Sequence, residues 1–291
     1  MDNWGPGLAV ILGIVEGLTE YLPVSSTGHL ILVSRWLGFS GEVADTVDIA
    51  IQLGAILAVV AYERAKLKTF LGQAWREQAE FRRQKGTGGD QTVMQRVRAS
   101  MQAHRSLWFL IGLGVAFLPA GIIGFLAHKW IEKHLFNPMS VAAALIVGGF
   151  IIMWIEAWKH EATITQLDRV PLFSAFMVGV AQCASLIPGT SRSGATIIGG
   201  LLVGMDRKVA TEYSFFLALP TLIIATGYKL IKAGSLLNGT DFMALFLGMV
   251  VSFLVAWAVI AGFLAFVQRH TLNLFAYYRI VLGIVVLTVF H

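Results

Sequence analysis

Two polar segments decide how this chain folds: Glu16-Gly-Leu-Thr-Glu-Tyr-Leu-Pro-Val-Ser-Ser-Thr-Gly-His29 and Pro188-Gly-Thr-Ser-Arg-Ser-Gly-Ala-Thr196. Both interrupt a sequence that is otherwise largely apolar, and both carry ionisable residues. A charged side chain at the centre of a bilayer costs roughly 2.5–3.5 kcal/mol on insertion scales. Membrane chains keep such groups where they face one another or a wet cavity, so we expect the two segments to form a functional site.

The composition is that of a membrane protein. Of the 291 residues, 56% are hydrophobic and 13% are charged, whereas a soluble domain carries about 25% charged residues. Six apolar stretches are long enough, or nearly long enough, to span a bilayer: Thr46–Tyr62, Leu107–Ala127, Pro138–Ile155, Tyr213–Tyr228, Phe242–Val267 and Thr271–Phe290. The sequence therefore predicts an all-α polytopic membrane protein, with six transmembrane helices in one integral membrane domain over residues 1–291.

Basic residues concentrate in one region of the chain. Ten of the 22 Lys and Arg residues lie between Arg64 and Arg105, and the positive-inside rule places this basic loop, over residues 64–106, in the cytoplasm. The same orientation places the N-terminus and the C-terminus outside. Because the membrane rule explains the basic patch by itself, we expect no nucleic-acid partner.

The N-terminus and the cysteine content exclude further features. Glu16 and Glu20 stand where a signal peptide would have its apolar region or cleavage site, and no basic region precedes them, so we expect no signal peptide. The single Cys183 excludes an internal disulfide. No cluster of Cys and His residues indicates a zinc site.

The two polar segments overlay when the chain is shifted along itself. In this register Ser25-Ser-Thr-Gly28 falls on Ser191-Arg-Ser-Gly194, and proline and glycine break helices in both copies. We expect an inverted-topology repeat, in which broken helices enter from opposite faces and meet near the midplane. The predicted first repeat covers about 5–127, with a re-entrant helix-loop-helix hairpin at 5–38. The second covers about 171–291, with its hairpin at 172–205.

The first segment combines carboxylate, hydroxyl and imidazole groups. Glu16 and Glu20 are four residues apart, so they share one helical face. A close carboxylate pair suits a divalent cation that also contacts a phosphate; an acidic, wet helix face is the alternative. His29 follows Ser26 by three residues, so it can take a hydroxyl proton or attack phosphorus itself. A buried histidine bound to a carbonyl would show the same pattern.

The second segment places an arginine inside a Gly- and Ser-rich turn. The hydroxyl residues of both segments precede apolar runs, so they mark helix N-termini, which attract anions; plain helix capping needs the same residues. Arg192 favours a phosphate site, although a structural pair with a glutamate is the alternative. The candidate phosphate-binding residues are Ser25, Thr27, Gly189, Ser191, Arg192, Ser193, Gly194, Thr196 and Arg207.

Other phosphate-handling motifs are absent from the sequence. There is no Gly-x4-Gly-Lys-[Ser/Thr] motif of a Walker ATPase. Cys183 and Arg192 are too far apart for a cysteine phosphatase loop. The phosphatidic-acid-phosphatase pattern requires a histidine where Ile198 stands after Ser191-Arg192.

The two segments together resemble the two signatures of the undecaprenyl-diphosphate phosphatase family, the bacitracin-resistance type. The resemblance covers nearly the whole chain, including Met205–Pro220. It implies a phosphoric anhydride hydrolase of the bacterial plasma (inner) membrane that converts the C55 prenyl diphosphate to the monophosphate and so recycles the lipid carrier of cell-wall polymers. It further implies a divalent cation, Mg²⁺ or Ca²⁺, and a site that opens to the periplasm or outside.

We expect Ser26 to attack the terminal phosphoryl group, with His29 or Glu20 as the base. Arg192 is expected to bind the diphosphate, and Glu16 and Glu20 are expected to bind the cation. His29 as nucleophile, or direct attack by water, is the alternative chemistry. A flippase of polyprenyl phosphate is the alternative function, since transporters also use inverted repeats and broken helices. The expected partners are the lipid substrate and membrane lipids, while a homodimer and the role of the basic loop stay open.

Overall fold

Helices form nearly all of the structure. It is a computed structural model that describes residues 5–39, 42–84, 99–158, 161–233 and 239–290. The principal helices are α1 (Pro6–Thr19), α2 (Ser26–Trp36), α3 (Glu42–Tyr62), α4 (Arg64–Gln84), α5 (Arg105–Leu135), α6 (Pro138–Ala157), α7 (Leu172–Gln182), α8 (Arg192–Leu202), α9 (Arg207–Ala233), α10 (Gly239–Val267) and α11 (Asn273–Val289). Within the described ranges there is no strand, only an isolated bridge between Ile164 and Met205, so the all-α prediction is confirmed.

Four helices are long and apolar enough to cross a membrane: Arg105–Leu135, Pro138–Ala157, Arg207–Tyr228 and Phe242–Val267. The other two predicted spans correspond to shorter apolar helices, Val47–Tyr62 and Asn273–Val289. Large apolar side chains also point away from the core, such as Phe125, Leu126 and Trp154, which are 69%, 76% and 63% exposed. An apolar surface of this kind suits lipid rather than water, as expected for a multi-pass membrane protein.

The basic segment over residues 64–106, predicted as a cytoplasmic loop, begins with the helix α4. Leu67, Phe70 and Ala74 lie on one face of α4, at the spacing of an amphipathic helix. Phe70 packs against Phe109 and Phe216, with ring centroids 4.6 and 5.8 Å apart. The high charge of the exposed face hid this pattern in the sequence. The following residues, 85–98, lie outside the described ranges.

The helix order matches the repeat found in the sequence. The register that places Ser25 on Ser191 also places the start of α1 on the start of α7, and the start of α2 on that of α8. The later counterparts, α5 with α10 and α6 with α11, lie closer together in the chain. The first half of the chain therefore has an insertion in the region of α4, between α3 and α5. One fixed shift could not align the helices that follow this insertion.

Helices of each predicted repeat pack against helices of the other. Helices α1 and α3 pack against α10, while α7 packs against α5 and α6 packs against α11. Each hairpin therefore packs against a helix of the other repeat. This packing brings the tip of the α1–α2 hairpin into contact with the tip of the α7–α8 hairpin.

Candidate active site

The two hairpin tips share one backbone conformation. Ser25 and Ser191 have φ of 73° and 76°, and among the described residues they are the non-glycine residues with positive φ. Such a backbone costs roughly 1–3 kcal/mol. Each serine offsets part of this cost as the N-cap of the next helix, because its Oγ accepts from the amide of Gly28 at 3.3 Å or Gly194 at 3.0 Å. The tips are therefore equivalent turns, one in each repeat.

Hydroxyl groups of the second tip bind the first tip. Ser193 Oγ donates to Leu22 O at 2.7 Å, and Ser191 Oγ lies 3.4 Å from the same carbonyl oxygen. Thr196 Oγ1 donates to Ser214 Oγ of α9 at 2.7 Å. Ser193 and Thr196 are fully buried, so both use their hydroxyl groups to join elements of the fold.

Arg279 of α11 binds backbone carbonyls of both tips. Its Nη1 donates to Pro23 O at 3.0 Å and Thr190 O at 2.8 Å, and its Nη2 donates to Gly189 O at 3.1 Å. Further bonds run from Nη2 and Nε to Ala144 O and Leu145 O of α6, at 3.0 and 3.3 Å. The side chain is 1% exposed, and five backbone carbonyls thus stabilise its buried charge.

Three side chains from the two hairpins meet beside a pocket. Ser26 Oγ donates to Glu20 Oε2 at 2.5 Å, and Arg192 Nη2 donates to Glu20 Oε1 at 3.1 Å. A second bond, from Arg192 Nη1 to Ser214 O at 3.0 Å, orients the guanidinium group. Residues of both hairpins, of α3 and of α9 line the pocket. A hydroxyl bound to a buried carboxylate is the arrangement of a nucleophile with its base.

Seven of the predicted site residues line this pocket: Glu20, Ser25, Ser26, Thr27, Gly189, Ser191 and Arg192. Six others do not line it: Glu16, His29, Ser193, Gly194, Thr196 and Arg207. Arg207 instead forms an ion pair with Glu156, whose Oε1 also accepts from Leu272 N at 2.9 Å. The structure thus brings together the residues of the two tips and places Arg207 with the ends of α6 and α11.

Both ring nitrogens of His29 have partners. The Nδ1 atom donates to Ser25 O at 2.7 Å, because a carbonyl oxygen can only accept. In a neutral ring Nε2 then accepts from the hydroxyl of Tyr278, 2.6 Å away. This geometry holds His29 between its own helix and α11, whereas the carboxylate of Glu20 is in direct contact with Ser26.

Residues outside the two polar segments complete the pocket. Gln52, Ser185, Ile187 and Leu222 line it, and sequence reasoning missed all four. A signal existed for Gln52 and for Arg279, since each is a polar residue inside an apolar stretch, where its cost usually indicates a function. Nothing in the sequence indicated which pocket or which carbonyls they would face.

Known proteins match nearly the whole length of this chain. The sequence model described as bacitracin resistance protein BacA matches residues 9–285. The undecaprenyl-diphosphatase of Ectopseudomonas mendocina is 46% identical over 99% of this chain and 95% of its own length. Those of Methylococcus capsulatus and Caldanaerobacter subterraneus are 46% and 44% identical, over 97% and 96% of this chain and 94% of each relative. Because these matches span nearly its whole length, the chain belongs to the bacitracin resistance protein BacA family.

Proposed function

We propose that this protein hydrolyses undecaprenyl diphosphate to undecaprenyl phosphate and inorganic phosphate. This reaction recycles the lipid carrier of cell-wall polymers and gives bacitracin resistance. The family and the named activity of the relatives support it. The observation that carries it is the contact between Ser26 Oγ and Glu20 Oε2, at 2.5 Å, beside Arg192 and the pocket.

Arg192 and Glu20 couple substrate binding to activation of Ser26. The guanidinium group of Arg192 binds Glu20 Oε1 at 3.1 Å. A diphosphate carries more negative charge than one carboxylate, and arginine binds phosphate oxygens in a bidentate manner. The substrate therefore draws Arg192 from Glu20. Glu20 Oε1 is then released, while Oε2 keeps its contact with the hydroxyl of Ser26.

The chemistry then proceeds in two steps. The proton of Ser26 passes to Glu20 Oε2 while Oγ attacks the terminal phosphorus, and the bond to the bridging oxygen breaks to release undecaprenyl phosphate. Glu20 then gives this proton to the departing undecaprenyl phosphate. Water attacks the phosphorus of the phosphoserine, Glu20 takes the proton of the water and returns it to Ser26 Oγ, and inorganic phosphate leaves. Ser26 is the first residue of α2, so the helix N-terminus stabilises negative charge on the phosphoryl group. Both bonds of His29 support Glu20 rather than His29 as the base.

We also propose a divalent cation, Mg²⁺ or Ca²⁺. The donors suit a hard cation, because Glu16 and Glu20 are carboxylates on consecutive turns, 1% and 6% exposed. Among the described residues no group of three or more acidic, His or Cys side chains could hold a metal. The donor set therefore fits an ion that is bound by one or two carboxylates and by substrate phosphate oxygens, as Mg²⁺ commonly is. When bound, it neutralises charge on those oxygens.

Removal of divalent cations tests this assignment. We expect EDTA to slow phosphate release by at least about tenfold, because the developing charge on the phosphate oxygens then lacks the cation and is balanced only by Arg192 and the N-terminus of α2. Addition of Mg²⁺ or Ca²⁺ should restore the rate. Undiminished release after exhaustive chelation would refute the cation.

The membrane arrangement is part of the proposal. The helices of the two hairpins are short, at 14 and 11 residues for α1 and α2 and 11 each for α7 and α8, whereas a spanning helix needs about 20. This supports six membrane-spanning helices and two re-entrant hairpins that enter from opposite faces. In this arrangement the site faces the periplasm from the inner membrane. A homodimer stays a prediction.

Phosphate release in detergent tests the function directly. The purified protein should liberate inorganic phosphate from undecaprenyl diphosphate in micelles, where transport across a membrane cannot occur. A flippase would release none. Arg192→Ala should reduce the rate by on the order of 10³-fold, as expected for loss of a principal charge on the phosphate. Wild-type activity in Arg192→Ala would overturn the placement of the site.

A further inference from the structure

We infer that the side-chain amide of Gln52 donates a hydrogen bond to a phosphate oxygen of the substrate, and that Thr226 orients this amide. Gln52 belongs to α3 and lines the pocket beside Ser26 and Arg192. This inference rests on the proposed function, because it assigns a further substrate contact in the same site. It makes α3 a third contributor to phosphate recognition, next to the two hairpins.

The backbone around Gln52 is held from two sides. Ser252 Oγ of α10 donates to Ile51 O at 2.6 Å, and Tyr21 Oη of the first hairpin donates to Ala55 O at 2.7 Å. Gly54 lies so close to α10 that any Cβ there would overlap the carbonyl oxygen of Met249. Gln52 therefore sits on a fixed segment of α3. Fixed placement is what a substrate-binding group needs, since little entropy is then lost on binding.

The amide of Gln52 has a defined orientation. Thr226 Oγ1 of α9 donates to Gln52 Oε1 at 2.8 Å, and Thr226 is only 1% exposed. The amide oxygen of Gln52 is therefore already bonded to a hydroxyl group of the protein. The amide nitrogen, Nε2, makes no hydrogen bond within the described residues and is not fully buried. Two N–H donors thus remain in a side chain that lines the pocket.

The chemistry of the pocket selects a phosphate oxygen as the acceptor. Ser26 and Arg192 already donate to Glu20, so a ligand that draws Arg192 must bring its own acceptors. A diphosphate offers several non-bridging oxygens that can accept further hydrogen bonds. A glutamine provides donors without adding charge, whereas a carboxylate at this position would repel the ligand. Gln52 thus adds affinity for the anion without competing with Glu20 for Arg192.

Kinetics of phosphate release from undecaprenyl diphosphate in detergent, with inorganic pyrophosphate as a competing probe, test the inference. We expect Gln52→Leu to raise KM and the pyrophosphate inhibition constant about tenfold, equivalent to about 1.4 kcal/mol, with kcat within threefold of wild type. Gln52→Glu, which keeps the shape but adds charge, should raise both constants further. Thr226→Val should raise them about threefold, and Thr226→Ser, which keeps the hydroxyl, should not.

The coupling between the two residues separates recognition from packing. In Gln52→Leu the hydroxyl of Thr226 has no amide to orient, so Gln52→Leu/Thr226→Val should be no worse than Gln52→Leu alone. Thr211→Val is the matched control, because Thr211 lies on the same helix and donates to the backbone oxygen of Arg207 at 2.7 Å instead. Thermal melting of every variant shows whether the fold is retained.

Two results would overturn the inference. One is Gln52→Leu with wild-type KM and pyrophosphate inhibition; the other is independent, additive effects of Gln52→Leu and Thr226→Val. Either result leaves the proposed function intact as long as the wild-type protein releases phosphate and Arg192→Ala does not. If the wild-type protein releases none, the proposed function itself fails.

Discussion

Ser26→Ala should reduce phosphate release by on the order of 10³-fold or more, because the reaction then lacks its nucleophile. The hydroxyl of Ser26 lies 2.5 Å from Glu20 Oε2, so it is the group that a phosphoryl acceptor in this pocket would meet together with its base. The substitution removes one oxygen at a residue that caps no helix itself, since the cap of α2 is Ser25. The fold should therefore survive, and pyrophosphate should still bind.

Two further variants, one at the proposed base and one at a control serine, test this prediction. Glu20→Gln should lose a comparable share of activity, because an amide cannot take the proton of Ser26. Ser34→Ala removes a hydroxyl from the same helix at a residue that does not line the pocket, and it should match wild type. Should Ser26→Ala retain near-wild-type release while Glu20→Gln is inactive, a water activated by Glu20 would be the nucleophile instead.

Arg279→Met should have the largest effect on stability. The substitution removes all five donors that bind the carbonyls of Pro23, Gly189, Thr190, Ala144 and Leu145. A buried carbonyl left without a donor costs roughly 1–3 kcal/mol. The carbonyls of Pro23, Gly189 and Thr190 lie in turns, so the total loss is on the order of 5 kcal/mol. That is comparable to the whole stability of many domains, about 5–15 kcal/mol. We expect the purified variant to unfold at a much lower temperature in detergent, or to be recovered in poor yield.

Two further variants separate the guanidinium group from its charge. Arg279→Lys keeps the charge, but a single ammonium nitrogen cannot reach carbonyls on three separate segments, so it should also be destabilised. Gly148→Ala keeps Arg279 but places a Cβ where its Nη2 now lies, and an intermediate loss is expected. Arg269→Met, at an exposed arginine, is the control. A melting temperature of Arg279→Met within a few degrees of wild type would contradict the role assigned to Arg279.

Local features of the hairpins could be predicted because they depend on neighbouring residues. Ser25 and Ser191 each precede a helix and are followed closely by Gly28 and Gly194, so the sequence alone predicted two equivalent helix starts, one in each repeat. The apolar stretches likewise predicted the helices, since their length and composition suit lipid. The helix α4 was missed because its amphipathic spacing is masked by charge, which favoured a loop.

The assignment of individual roles required the tertiary structure. In sequence, His29 and Glu20 were equal candidates for the base, since both lie within a few residues of Ser26. The structure distinguishes their contacts, because Tyr278 of α11 binds His29 Nε2 while Ser26 binds Glu20 Oε2, and this favours Glu20 in the proposed mechanism. Arg207 was grouped with Arg192 by residue type, yet it pairs with Glu156.

The sequence by itself thus determined the membrane character, the two hairpins and the family resemblance, because these depend on composition and on residues close together in the chain. Only the tertiary structure decided how the hairpins are joined and which side chains share the pocket. Arg279 binds the carbonyl of Pro23 across 256 residues, and Thr226 binds Gln52 across 174. Such contacts depend on how helices from both repeats pack against each other, and no local pattern in the sequence encodes that packing.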